Sequence, residues 1–137
     1  MSHRTFVLVA ALAAALFTTG VHANTVRPMQ ASRIDFIQIT RVCSQHLLGS
    51  YVVVHDADKM AAGEPCTTFY KLRAGKAAEE VVSFRCIPKH RTPVAKTTIT
   101  VVPTGGITTT TSSVELIEFQ LAGYSEAHGV PPFETPR

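Results

Sequence analysis

"CTTFYKLRAGKAAEEVVSFRCI", residues 66–87, holds two runs rich in Thr, Val, Phe and Tyr around a short segment containing Gly75. That is the pattern of two β-strands joined as a hairpin. Pairing about Lys76, with residues 74–78 as the loop, sets Leu72 opposite Glu80, Tyr70 opposite Val82, Thr68 opposite Phe84 and Cys66 opposite Cys86. Alternate side chains of a strand share a face. Cys66, Tyr70 and Leu72 are therefore expected with Val82, Phe84 and Cys86 on the core face. Thr67, Phe69, Lys71, Ser83 and Arg85 are expected on the wet face.

The same composition recurs on both sides. "IDFIQITRV" (34–42), "SYVVVHD" (50–56), "KTTITVV" (96–102) and "VELIEFQL" (114–121) are short β-branched and aromatic runs separated by Gly, Pro and polar clusters. None shows the i, i+3, i+4 apolar spacing of a long amphipathic helix. The best helix candidate is "DADKMAAGE" (56–64), a turn or two with Asp56 or Asp58 as N-cap and Gly63 as the stop. Pro103 with Gly105-Gly106 reads as a strand end and a tight turn. The Thr run after it suits an edge strand or a loose loop. The expected fold class is all-β: a small antiparallel β-sandwich or partly open barrel of about six to seven strands.

The ends frame this domain. "MSHRTFVLVAALAAALFTTGVHAN" carries Arg4, an apolar run over 6–17 and small residues at the positions a signal peptidase reads, in "VHA" (21–23). A spanning helix needs about 20 apolar residues, more than this run supplies. The expectation is a signal peptide over 1–23 cleaved before Asn24, a flexible leader over 24–33, a β domain over 34–122 and an extended tail over 123–137. Localisation is then periplasmic or secreted, with no membrane span after cleavage. In the tail, His128 and Glu126 are expected to be exposed, with Phe133 able to tuck onto the sheet. Thirteen Lys and Arg against ten Asp and Glu are scattered along the chain. Without a basic patch, nucleic acid is excluded as a partner, which leaves an unknown protein or small ligand.

Export places Cys43, Cys66 and Cys86 in an oxidising space. Opposed residues of an antiparallel pair have Cα atoms about 4.5–5.5 Å apart, within reach of a disulfide. A Cys66–Cys86 bridge is expected, with Cys43 left as a core residue or free thiol. Pairing of Cys43 with either one stays open, because connectivity is not legible in spacing.

A metal site competes for Cys86. "CSQH" (43–46) and "CIPKH" (86–90) are C-x2-H and C-x3-H, spacings that let two ligands face one ion. His55, Cys86 and His90 are the ligand candidates, for copper or zinc. Their order resembles that of blue-copper sites, which use a His, then Cys and His close together, then a weak axial Met. The resemblance stops there, since no Met follows His90. A disulfide would remove the Cys86 thiolate, so bridge and metal exclude each other.

"VVVHDADKMAAGEPC" (52–66) is the densest polar constellation, with His55, Asp56, Asp58, Lys59 and Glu64 at a strand end. His55 beside Asp56 or Glu64 could act as a general base, but no nucleophile in a G-x-S-x-G elbow accompanies it. No phosphate-binding Gly-rich loop is present either. The sequence therefore favours an exported binding or scaffolding module over an enzyme, with a periplasmic copper or zinc carrier as the competing reading.

Overall fold

The computed structural model describes residues 29–104 and 113–132. The expected signal peptide, the start of the leader, the Gly105-Gly106 turn with its Thr run, and Phe133 lie outside these residues. Among the described residues eight strands run in chain order as β1 (Gln30–Val42), β2 (Gln45–His55), β3 (Thr67–Arg73), β4 (Lys76–Phe84), β5 (Ile87–His90), β6 (Thr98–Pro103), β7 (Val114–Gln120) and β8 (Glu126–Gly129). One short helix, α1 (Ala57–Ala61), interrupts them. The all-β expectation holds. Among the described residues no helix is long and apolar enough to cross a membrane.

The strands form one curled, mixed sheet in the order β4-β3-β2-β1-β7-β8-β5, a half-barrel, with β6 pairing on the other edge of β7. The described pairs are antiparallel except one. β1 runs parallel to the start of β7, through Thr40 opposite Val114 and Arg41 opposite Glu115. The Arg41 Nη2 to Glu115 Oε2 contact of 2.8 Å lies on that junction. β8 takes over the same edge of β7 further along, from Glu118 to Gln120, and β5 pairs with the far side of β8.

The core follows the two-residue period of the strands. In β2, Tyr51, Val53 and His55 are buried and the residues between them only half so. Phe69 stands at the centre, within 6.1–6.3 Å of the rings of Phe36, Phe84 and Phe119. Val42, Leu47, Leu116 and Leu121 fill the space around them.

The hairpin over 66–87 exists, with a different register from the symmetric one. Its loop is only Ala74-Gly75, both at positive φ (50° and 72°), and Arg73 pairs directly with Lys76. That is the geometry of a type I′ turn. Two register shifts, between Phe69 and Tyr70 and between Lys71 and Leu72, then leave Ala78 and Val81 of β4 without an opposite residue. Thr67 ends opposite Phe84, one residue from the symmetric pairing. A one-residue slip turns a strand over. Phe69 and Thr67 are consequently buried, where the wet face was expected, and Tyr70 and Leu72 are only half-buried. The β4 face, with Val82 and Phe84 inward, stands as expected.

The helix also stands. The Asp56 carboxylate accepts from the backbone N–H of Asp58 and Lys59 as N-cap, and Gly63 follows at φ +71°. Two segments depart from expectation. β1 begins at Gln30, inside the expected leader, and residues 126–129 of the expected tail form β8.

Candidate metal centre

Four segments converge at one end of the half-barrel. β2 delivers His55 as the next inward position after Tyr51 and Val53. Cys86 sits in the short link between β4 and β5. β8, held between β7 and β5, presents His128. α1, capped by Asp56, brings Met60 over the group. β8 is braced from outside through Glu118, which pairs with its last residue, Gly129. The Glu118 carboxylate accepts from Nε and Nη2 of Arg91, both at 3.1 Å, and lies 3.3 Å from Lys89 Nζ. Lys89 belongs to β5 and Glu118 to β7, so this clamp spans the strand that carries His128.

His55, Cys86 and His128 each offer a ligand atom, and these atoms lie within 4.8 Å of one another. Cys86 Sγ is 3.5 Å from His128 Nδ1 and 4.0 Å from His55 Nδ1. Zinc bonds of about 2.3 Å to sulfur and 2.0 Å to nitrogen, at tetrahedral to trigonal angles, put S and N about 3.5–3.8 Å apart. The 3.5 Å separation of Cys86 from His128 falls in that range, and the 4.0 Å separation from His55 lies just beyond it. Met60 Sδ lies 3.9 Å from Cys86 Sγ and adds a thioether to the same sulfur. The two imidazoles lie with centroids 4.0 Å apart at a 38° tilt, and the His128 ring lies 4.9 Å from that of Phe119 at a 30° tilt.

Burial sets the protonation of this group. All three side chains are in the interior, His128 fully so. Nε2 of His55 and of His128 is buried without a hydrogen-bond partner. The Glu126 carboxylate approaches both rings, its Oε1 3.7 Å from His55 Nε2 and 3.7 Å from His128 Nδ1, too far for a hydrogen bond. Loss of water, and to a lesser degree the neighbouring His55, lowers the His128 pKa to about 4. Burial lowers His55 as well, against the opposing pull of Glu126 and Asp56. Both rings are thus neutral at pH 7, the form that binds metals.

Cys66 adds a second sulfur. Its Sγ is 3.0 Å from Cys86 Sγ, and it also accepts from the Cys86 backbone N–H at 3.4 Å. The two are unbonded thiols here, since a disulfide is about 2.05 Å long. They share protons as a pair. The hydrogen bond from Cys86 stabilises a thiolate on Cys66 and lowers it to about 6, while the same bond and burial push Cys86 up.

Of the sequence candidates, His55 and Cys86 come together and His90 does not. His90 is exposed on β5, opposite Glu126, and His128 stands where His90 was expected. The expectation that His128 is exposed is overturned, because pairing of β8 with two strands carries it inside. Cys43 and His46 do not form a pair of ligands. Cys43 is buried with its Sγ 3.5 Å from the Pro131 carbonyl, and His46 is exposed on β2. Asp56 is occupied as a helix cap, and Glu64 is exposed. Comparison with protein-family models, with curated proteins and with solved structures finds no match.

Proposed function

We propose that the protein is an exported metal-binding module whose His55, Cys86 and His128 hold one soft ion, copper in preference to zinc. The observation that carries this reading is a buried thiol whose Sγ lies 3.5 Å from His128 Nδ1 and 4.0 Å from His55 Nδ1, three donors of types that suit one ion. The Met60 thioether favours copper. Two histidines and a cysteine with a weak methionine are the donor set of copper sites, whereas zinc seldom takes a thioether. Export rests on the residue pattern of 4–23.

The test is titration of fully reduced protein with Cu(I) and with Zn(II), comparing wild type, Cys86→Ser, His128→Ala and His90→Ala. The expected result is one ion per chain in wild type and His90→Ala, and binding weakened by a hundredfold or more in the other two, since losing even an outer partner of a ligand costs about 10–100-fold. Equal binding in all four proteins overturns the reading.

A second reading has its own observation. The 3.0 Å separation of Cys66 and Cys86 suits a disulfide-stabilised binding or scaffolding module. Closing a loop of roughly 20 residues stabilises a fold by about 3 kcal/mol in the chain-entropy account. Non-reducing peptide mapping of exported protein tests it. Quantitative linkage of Cys66 to Cys86 supports it, and free thiols at both positions remove it.

A further inference from the structure

We infer that Cys66 is a redox gate on the metal centre: oxidation of Cys66 and Cys86 to a disulfide withdraws the sulfur anion from the ligand set, and reduction restores it. This rests on the metal-binding reading and deepens it. The geometry points to it through one atom. Cys86 Sγ is simultaneously 3.5 Å from His128 Nδ1, 4.0 Å from His55 Nδ1 and 3.0 Å from Cys66 Sγ. It can be a metal thiolate or half of a disulfide, and not both. A disulfide sulfur carries no charge and is a poor ligand, because the thiolate is the binding form.

The local structure makes the change small. Cys66 immediately precedes the first residue of β3, and Cys86 lies two residues beyond the end of β4, so both sit just outside the paired stretches of those strands. The Cys66 N–H bonds the Phe84 carbonyl at 3.1 Å, holding the two chain ends side by side. Bringing the sulfurs from 3.0 Å to bonding distance takes a movement of about 1 Å. His55, His128 and Met60 sit on other segments and need not move.

The oxidant is a disulfide, small-molecule or protein-borne. One sulfur of the pair, as thiolate, attacks the oxidant's S–S bond and expels one thiolate, forming a mixed disulfide. The other sulfur then attacks the protein-side sulfur of that mixed disulfide and expels the second. Two protons leave the protein thiols, two electrons pass to the oxidant, and the oxidant departs as two thiols. Reduction by a dithiol runs the same steps backwards.

Coupling between sites is reciprocal, which gives a direct readout. Metal that binds only the dithiol form must make the pair harder to oxidise. Zinc is the probe, because it does no redox chemistry of its own. The experiment equilibrates the full chain in glutathione redox buffers with and without Zn(II), and reads the dithiol fraction by thiol alkylation and mass. Zinc at about a hundred times its Kd should shift the midpoint about a hundredfold toward the dithiol, about 60 mV more positive for a two-electron couple. In parallel, zinc binding is measured on protein oxidised with glutathione disulfide. The expected result is a loss of a hundredfold or more, restored by reduction. Cys66→Ser should stop at the mixed disulfide on Cys86, one glutathione heavier by mass, with no intramolecular bridge.

The outcomes separate the two claims. Reduced protein that binds neither zinc nor Cu(I) removes the metal reading and the gate with it. Reduced and oxidised protein that bind zinc equally, or a midpoint that zinc leaves in place, overturns the gate alone. So does oxidation that leaves both thiols free. The wild-type midpoint decides the matter even where Cys66→Ser does not fold.

Discussion

At the scale of residues, the site is built from groups that burial holds in their neutral forms. His128 makes this measurable. Its pKa falls from an ordinary 6.5 to about 4 because burial disfavours the imidazolium. In the metal-free protein the unfolded chain takes up this proton below pH 6.5, and the folded chain does so only near pH 4. The unfolded state therefore binds more protons in that window, so stability is full above pH 6.5 and is lost as pH falls toward 4. The loss is roughly 3 kcal/mol, since each tenfold change in proton affinity is worth about 1.36 kcal/mol. His55, whose pKa moves in the same direction, deepens it. Urea unfolding in EDTA from pH 7.5 to 4 should show the fall, and His128→Leu should flatten much of it. An unchanged midpoint in wild type across that range would contradict the burial of a neutral His128.

The two histidines also differ in how legible they were. His55 continues the inward alternation of Tyr51 and Val53 in "YVVVH", so its burial follows from period alone. His128 lies in "EAHG", too short to show a period and followed by Val130 and two prolines. Only its pairing partners, Phe119 on β7 and Pro88 on β5, make that segment a strand. His90 attracted attention by its C-x3-H spacing, yet that spacing describes a loop returning to its own cysteine. Here the residues after Cys86 run away along β5.

At the scale of elements, the hairpin over 66–87 was legible as a pair of strands and not as a register. Composition marks strand and turn, but nothing in "GKAAEEVV" marks Ala78 and Val81 as the unpaired residues. Bulges depend on how a strand must twist to stay on the sheet. The turn itself offers a test. Ala74 has φ +50°, where a Cβ is disfavoured by about 1–2 kcal/mol. Asn-Gly suits a type I′ turn better than Ala-Gly. Ala74→Asn should raise stability by about 1 kcal/mol, seen as a thermal midpoint several degrees higher. No change, or a lower midpoint, would mean that the turn has another geometry. The neighbouring helix has the opposite sensitivity. Asp56→Ala removes the cap that serves the N–H groups of Asp58 and Lys59, at a cost of about 1 kcal/mol. Because α1 positions Met60, the same change should weaken Cu(I) binding more than Zn(II) binding. Equal weakening of both would remove Met60 from the copper site.

At the scale of the whole molecule, the class was legible and the closure was not. Short β-branched runs divided by Gly and Pro leave few alternatives to an all-β domain. The order of strands is another matter, because the parallel contact of β1 with β7 joins segments some seventy residues apart, and no local pattern announces it. That closure is what brings β2, the β4–β5 link and β8 to one end of the half-barrel, and so assembles His55, Cys86 and His128. X-ray absorption at the copper edge, on reduced protein loaded with one equivalent of Cu(I), is the sharpest probe of this assembly. The expected spectrum has one short copper–sulfur distance from Cys86 and two imidazole nitrogens, with the sulfur shell lost in Cys86→Ser and one nitrogen lost in His128→Ala. A copper shell of nitrogen and oxygen alone in wild type, or a spectrum unchanged by either substitution, would contradict it.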